Sequence, residues 1–313
     1  MLLVTGAAGN SGRCFFDKLV EERYRGKIRC IARKDHQTTI QLSKNQRLIS
    51  KRNIDFIKNS NLNVEFYYGN LIDQKFLKES LKDIKTVLHI AGFHHSINII
   101  ETGKLLGVEW FICVQSTGLF SKYNSLSHEY KKIESAMTKN ANVTILRPTL
   151  IYGGSNDRQM SKLINRIKRY KFIPIVGSGN NLFQPVHAKD LGDAYWKLLT
   201  SEKDFKGKQY NLSGNNQIAY LEMLKLISLI IGKKNVFIPI PFLICIACVY
   251  IYVFFHNIYR WRERYPEKSL IVSVEQVYRM NEDKVFSWKK ASDDFGYFPM
   301  TFEKGIRNQI KEL

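Results

Sequence analysis

Val4-Thr5-Gly6-Ala7-Ala8-Gly9-Asn10-Ser11-Gly12-Arg13-Cys14-Phe15-Phe16 is the stretch on which the reading of this chain turns. The apolar residues 2–4 before it read as a strand, and a helical pattern follows from about residue 11 to residue 25. Gly6 permits a tight turn, Gly9 lets the backbone approach a pyrophosphate, and Gly12 allows close packing of helix on sheet. The helix N-terminus, at Asn10 and Ser11, then faces the phosphate charge. Glycines alone would be weak evidence. Strand, glycines and helix in this order are the context that a dinucleotide-binding turn requires.

Further short apolar runs at 27–32, 64–68, 86–90, 110–114 and 143–146 follow at helix-sized intervals. Strands separated by helices imply βαβ crossovers, so the expected class is α/β: a Rossmann-type, doubly wound parallel sheet. From residue 152 the rhythm weakens. Residues 190–199 and 220–231 read as amphipathic helices, and the Gly/Asn-rich stretch 177–181 as a loop. This divides the chain into a dinucleotide-binding part, 1–151, and a smaller, mostly helical substrate-binding region, 152–313.

The 313 residues carry 48 Lys+Arg against 28 Asp+Glu, a formal charge of +20. Apolar residues make up 44% and charged residues 24%, which argues against disorder, collagen or a coiled coil. Five cysteines in so long a chain do not make a disulfide scaffold and suggest reduced thiols in a cytoplasmic setting. The first residues run straight into a strand, so a signal or transit peptide is not expected. The charge surplus favours an anionic partner.

The Gly-x-x-Gly-x-x-Gly spacing after Thr5 resembles that of the extended short-chain dehydrogenase/reductase family, of the NAD-dependent epimerase/dehydratase type. Other segments carry the resemblance along the chain: Tyr68-Gly69-Asn70-Leu71-Ile72-Asp73, with Asn for the usual Asp; Val87 to Gly92; Thr144-Ile145-Leu146-Arg147-Pro148 with Ile151-Tyr152-Gly153; Gln184-Pro185-Val186-His187 leading to Asp190; and Asp294-Phe295-Gly296-Tyr297. The resemblance implies a cofactor site that also takes in Asn70 and Leu71 beside the adenine, and Ile90, Ala91, Gly92 and Pro148 beneath the rest. It further implies hydride transfer at a sugar or alcohol carbon, commonly on a nucleotide sugar.

The residue ending the second strand decides the adenosine ribose 2′ position: an acid suits NAD, a nearby Arg suits NADP. Here Arg33 and Lys34 follow Ala32, and no acid occurs before Asp35. NADP is the expected cofactor, with NAD open.

The family's proton-handling set is a Ser/Thr after the fifth strand and a Tyr-x-x-x-Lys pair on the next helix. Ser116, with Thr117 beside it, supplies the first element. The second is not intact: Tyr123 is followed four residues on by Ser127, and Tyr130 by Glu134. His128 and Lys132 keep the spacing with imidazole in place of phenol, Ser127 and Lys131 with a poorly basic hydroxyl, and Tyr130 reaches the site only from a shifted helix. Ser116, His128, Tyr130 and Lys132 are therefore the candidates. The alternative is a protein that binds NADP(H) as a scaffold or sensor without turnover.

No metal site is expected: Cys245-Ile246-Ala247-Cys248 has suitable spacing but sits in an apolar run. His94 and His95 read as a loop pair. No acid lies between Asp157 and Asp190, where Arg158, Lys162, Arg166, Lys168, Arg169, Lys171 and Lys189 form a basic stretch suited to a pyrophosphate. No basic platform interleaved with aromatics accompanies this charge, so nucleic acid is not the expected partner.

Residues 236–259 lack any acid, Lys or Arg, and Phe242 to Phe255 is unbroken apolar or aromatic sequence. As a helix that core is about 21 Å long, short of a ~30 Å hydrocarbon layer. The segment C-terminal to it carries the family's terminal signature and must pack on the same body, which argues against a crossing. Trp261, Tyr265, Arg260, Arg262, Arg264 and Lys268 make an interfacial belt. The expectation is peripheral attachment at the inner face of a membrane, with a buried core helix or a homodimer interface as the alternatives.

Overall fold

The computed structural model describes residues 1–33, 44–154, 157, 159–262 and 273–312. The first part alternates strictly: β1 (Leu2–Thr5), α1 (Asn10–Glu21), β2 (Ile28–Ala32), α2 (Lys44–Lys58), β3 (Val64–Tyr68), α3 (Gln74–Ser80), β4 (Thr86–His89), α4 (Ser96–Leu105), β5 (Trp110–Val114), α5 (Ser127–Thr138) and β6 (Val143–Pro148). Then come β7 (Ile151–Tyr152), α6 (Met160–Arg169), β8 (Phe172–Val176), β9 (Leu182–Phe183), β10 (Val186–His187), α7 (Ala188–Thr200) and β11 (Gln209–Leu212). The chain closes with β12 (Ile218–Ala219), α8 (Tyr220–Ile231), β13 (Val236–Ile240), α9 (Phe242–Arg262), α10 (Val274–Met280), α11 (Lys289–Phe295) and α12 (Phe302–Glu312).

Among the described residues the main sheet has seven strands in the order β11-β6-β5-β4-β1-β2-β3, all parallel. This is the doubly wound α/β class expected. Successive side chains alternate faces, as a strand requires. Val4, Cys30, Leu88, Ile112 and Leu146 enter the core on one side; Leu3, Ile31, Val87, Phe111 and Ile145 enter the other. The chain reverses its direction of travel across the sheet between β1 and β4, so the crevice at their C-terminal ends is the topological switch point where such folds bind ligands.

Residues beyond 151 re-enter this layer, since β11 pairs with β6 and α7 packs along α1. Gly192 sets that approach: a Cβ there would lie 2.7 Å from the Cys14 carbonyl carbon. A third apolar cluster, including Tyr152, Ile164, Ile173, Met223 and Ile306, binds α6, β8, α8 and α12 together.

The run at 236–259 is not one helix. Its first residues form β13, which pairs in parallel with β8. β-Branched Val236, Ile238 and Ile240 favour the strand, and Pro241 precedes the first turn of α9, where its missing N–H costs nothing.

Candidate active site

Gly6 sits at φ +77°, a left-handed conformation that a side chain disfavours. A Cβ there would also lie 2.7 Å from the Ala91 nitrogen, so the turn after β1 presses on the segment after β4. The Gly9 N–H donates to the Gly6 carbonyl (2.9 Å), and Gly9 caps α1 without a side chain. A Cβ on Gly12 would stand 2.3 Å from the Gly6 oxygen. The first turn of α1, with Asn10 and Ser11, thus starts directly at the glycine turn, at the switch point. Tyr195 of α7 steadies it, its hydroxyl donating to Ser11 Oγ (3.4 Å). Thr5 Oγ1 lies 2.7 Å from His89 Nδ1 and accepts from the Ala91 N–H (3.2 Å). Burial pushes His89 down to about 3, so it is neutral at pH 7.

Around this cradle, Gly92 has open space, the nearest atom to a Cβ there being His95 Cδ2 at 3.9 Å. Ile90 donates its N–H to the Thr5 carbonyl (3.2 Å). Asn70, past the end of β3, accepts from the Ile72 N–H (3.1 Å), and Leu71 is buried beside it. Arg33 is exposed past the end of β2 and faces His95, whose imidazole burial pushes down, with Arg33 and His94 adding to the effect. Lys34 and Arg158 lie outside the described residues. A glycine-lined turn, a helix N-terminus and a cation past β2 together fit a dinucleotide.

Beside the cradle, the structure brings together two of the four proton-handling candidates. Ser116 follows β5 and accepts the Gly118 N–H (3.0 Å). A Cβ on Gly118 would stand 3.2 Å from Ser116 Oγ and 3.4 Å from Tyr130 Cε2, so glycine here lets the hydroxyl and the phenol ring share one spot. Thr117 donates to the carbonyl of Pro148 at the end of β6 (3.2 Å). Tyr130 is half-buried with its ring edge-on to Phe93 (4.3 Å between centroids). Burial raises its phenol pKa; Arg279 pulls the other way, while Glu129 and Glu275 add to the rise. His128 and Lys132 stand exposed on α5 and are not brought to this spot. The position four residues after Tyr130 is taken by Glu134, buried against Arg147.

The far end of the chain closes the site, which no local pattern in the sequence indicates. Glu282 accepts from Ser121 Oγ (2.6 Å) and from the backbone N–H of Lys122 (2.6 Å) and Tyr123 (3.3 Å). Tyr278 stacks on Tyr123 (4.9 Å), and Phe286 on Phe120 (5.3 Å). Lys284 lies over the Phe183 ring (4.5 Å), and burial pushes its ammonium down to about 8. A cavity of about 480 Å³ opens nearby, lined by Gln184, Asn215, Gln217, Phe286, Trp288 and Lys289. Among the described residues no group of His, Cys, Asp and Glu could hold a metal.

Residues 124–213 match the NAD dependent epimerase/dehydratase family. UDP-glucuronic acid 4-epimerase from Bacillus cereus superposes over 99% of this chain and 98% of its own, with a TM-score of 0.73 and 17% identity. The dTDP-glucose 4,6-dehydratase DesIV from Streptomyces venezuelae, as a double mutant, does so over 99% and 96%, with a TM-score of 0.71 and 14% identity. The chain shares the fold of these epimerase and dehydratase structures. Both of those structures contain NAD.

Curated proteins match over shorter stretches of the chain. Mitochondrial NADH dehydrogenase [ubiquinone] 1 alpha subcomplex subunit 9 of Arabidopsis thaliana is 28% identical over 109 residues, 35% of this chain and 27% of that protein. Chloroplast stem-loop binding protein of 41 kDa b, from the same plant, is 29% identical over 128 residues, 36% and 34% of the two chains. The chain thus spans between about a quarter and a third of the length of these relatives.

Proposed function

We propose that this protein is an NADP(H)-dependent oxidoreductase or epimerase acting on an anionic sugar substrate such as a nucleotide sugar, at the inner face of a membrane. The observation that carries the reading is the convergence of Ser116 and Tyr130 on Gly118, beside the glycine turn. When bound, the nicotinamide supplies the hydride acceptor or donor. Gly6, Gly9 and Gly12 admit its pyrophosphate, the α1 N-terminus at Asn10 and Ser11 carries the complementary partial charge, and Arg33 meets the 2′-phosphate. Ser116 Oγ orients the substrate oxygen. Tyr130 moves the proton. Burial keeps its phenol protonated at neutral pH, which suits donation to an alkoxide as a carbonyl is reduced. Phe93 packs edge-on against the Tyr130 ring, and Glu282 holds segment 121–123 in place.

The second reading, a cofactor-binding protein without turnover, draws on Glu134. The family's lysine would lower the tyrosine pKa; a carboxylate neutralised by Arg147 does not. Titration of the purified protein with NADPH, followed by turnover assays on a panel of nucleotide sugars, separates the two. Turnover that Tyr130→Phe and Ser116→Ala each lower by about a hundredfold, with NADPH affinity unchanged, supports the enzyme. NADPH binding with no turnover on any sugar supports the scaffold.

A further inference from the structure

Two long stretches of this chain contain no Asp or Glu, residues 158–189 and 223–262. The first carries seven Lys/Arg and the second five. Though far apart in sequence, they are joined in space. β8, from the first, pairs in parallel with β13, from the second, from Phe172 opposite Val236 to Val176 opposite Ile240. Asn235 ties the join further, its amide donating to the carbonyls of Ile167 (3.0 Å) and Tyr170 (2.6 Å) at the end of α6.

This ribbon is apolar on its outer side. Phe172, Pro174, Val236 and Ile238, which share one face, are all exposed. It leads into α9, which has two distinct faces. Phe242, Cys245, Ile246, Val249, Tyr252 and Val253 lie toward the body, buried or half-buried. Leu243, Ile244, Tyr250, Ile251, Phe254 and Phe255 recur at helical spacing on the other face and are exposed, Leu243 to 78% and Phe254 to 63%. Alanine and cysteine fill the gap between them, at Ala247 and Cys248. Such an outward stripe costs free energy in water and marks a surface that is covered in use. Cations rim it: Lys168, Arg169 and Lys171 beside β8, and Lys233 and Lys234 before β13, all exposed.

We infer that the β8–β13 ribbon and the outer face of α9 dock on a bilayer surface rich in anionic headgroups, with α9 lying in the interfacial plane. Charge decides the occupant. A second copy seated symmetrically on the same face would oppose one acid-free, cationic surface to another, whereas anionic headgroups complement it. Geometry decides the orientation. β13 holds the start of α9 to the body, and beyond α9 the chain returns through α10 to the same body, where the Phe242 ring meets Tyr278 (5.2 Å). Among the described residues no helix is long and apolar enough to cross a membrane. The docking stands independently of hydride transfer, because a chain without turnover would bind the same surface.

Flotation of the full chain at low salt with vesicles of phosphatidylcholine and phosphatidylglycerol in equal parts tests this, against vesicles of phosphatidylcholine alone. The expected result is binding to the mixed vesicles at least about tenfold tighter than to the neutral ones. The triple variant L243S/I251S/F254S and the double variant K168E/R169E each weaken it about tenfold or more. Cys248, exposed on the same face, supplies a readout that needs no destabilising change. In a Cys245→Ser background, a polarity-sensitive dye on Cys248 shifts to the blue with mixed vesicles. A parent protein that stays unbound, or binds both vesicle types equally, overturns the inference. So does a dimer in solution that the triple variant converts to monomer while vesicle binding is unchanged.

Discussion

Arg147 grips Glu134 with two parallel hydrogen bonds, Nε to Oε2 at 2.8 Å and Nη2 to Oε1 at 2.6 Å. Both side chains are about nine-tenths buried, and Arg147 also reaches Gln209 on β11. The pair ties α5, which carries Tyr130, to β6. Breaking one partner of such a pair leaves an uncompensated buried charge, so Glu134→Gln is expected to lose about 3 kcal/mol of stability in urea denaturation. A loss below about 1 kcal/mol would mean that water screens the pair. Glu134→Lys restores the family's Tyr-x-x-x-Lys spacing in sequence only. It sets an ammonium against the Arg147 guanidinium, and the expected outcome is a larger loss of stability with no gain in turnover.

The proposed preference for NADP rests on Arg33, exposed past the end of β2, where its charge reaches His95. A planar guanidinium fits a 2′-phosphate, so NADPH is expected to bind at least about tenfold more tightly than NADH. Arg33→Asp narrows or reverses that ratio. Calorimetric titration with both cofactors measures it, and equal affinities in the parent protein would sink the NADP assignment.

Gly12 has no room for a methyl group. The Gly6 oxygen at 2.3 Å and the Ala7 Cα at 2.9 Å are both backbone and both belong to the phosphate turn. Gly12→Ala should open that turn, costing about 1–3 kcal/mol in thermal or chemical unfolding. NADPH affinity falls with it. Unchanged cofactor affinity in a folded Gly12→Ala protein would show that the turn does not hold the pyrophosphate.

Asp190, inside α7, supplies a pH dependence. Burial pushes its carboxyl up from 3.8 to about 7, outweighing the opposing hydrogen bond from the Met300 N–H (3.2 Å). The folded chain therefore holds this proton more tightly than the unfolded chain. The resulting stabilisation is complete below about pH 4 and is lost as pH rises through about 7. Asp190→Asn has no such proton, so the variant should gain stability relative to the parent between pH 5 and pH 8. His89 and His187 titrate in both proteins and cancel from the difference. A parent-to-variant difference that does not change with pH would refute the assignment.

The glycine turn after β1 is legible from residues 5–12 because the tight turn and the close packing of helix on sheet are local requirements written within one short segment. The alternation that predicts the parallel sheet is local in the same sense. Ser116 is legible too, by its place after β5. Tyr130 is harder to read, because its place depends on the helical register of α5, and a shift of two residues would have favoured His128. Arg279, Glu282 and Lys284 carry no mark in the sequence, since they meet the site only through the packing of α10 on segment 121–123. The run at 236–259 reads as a single apolar block because β-branched strand residues and aromatic helix residues look alike when both lack charge; only the pairing with β8 separates them.

The carboxylate of Glu282, holding three donors on segment 121–123, also fixes the order in which the site is completed. A chain leaving the ribosome exposes the glycine turn first and acquires its α7 support by Thr200. The ground between Ser116 and Tyr130 must wait for a residue near the opposite terminus. A newly made chain can therefore shape the glycine turn well before the ground between Ser116 and Tyr130 is set.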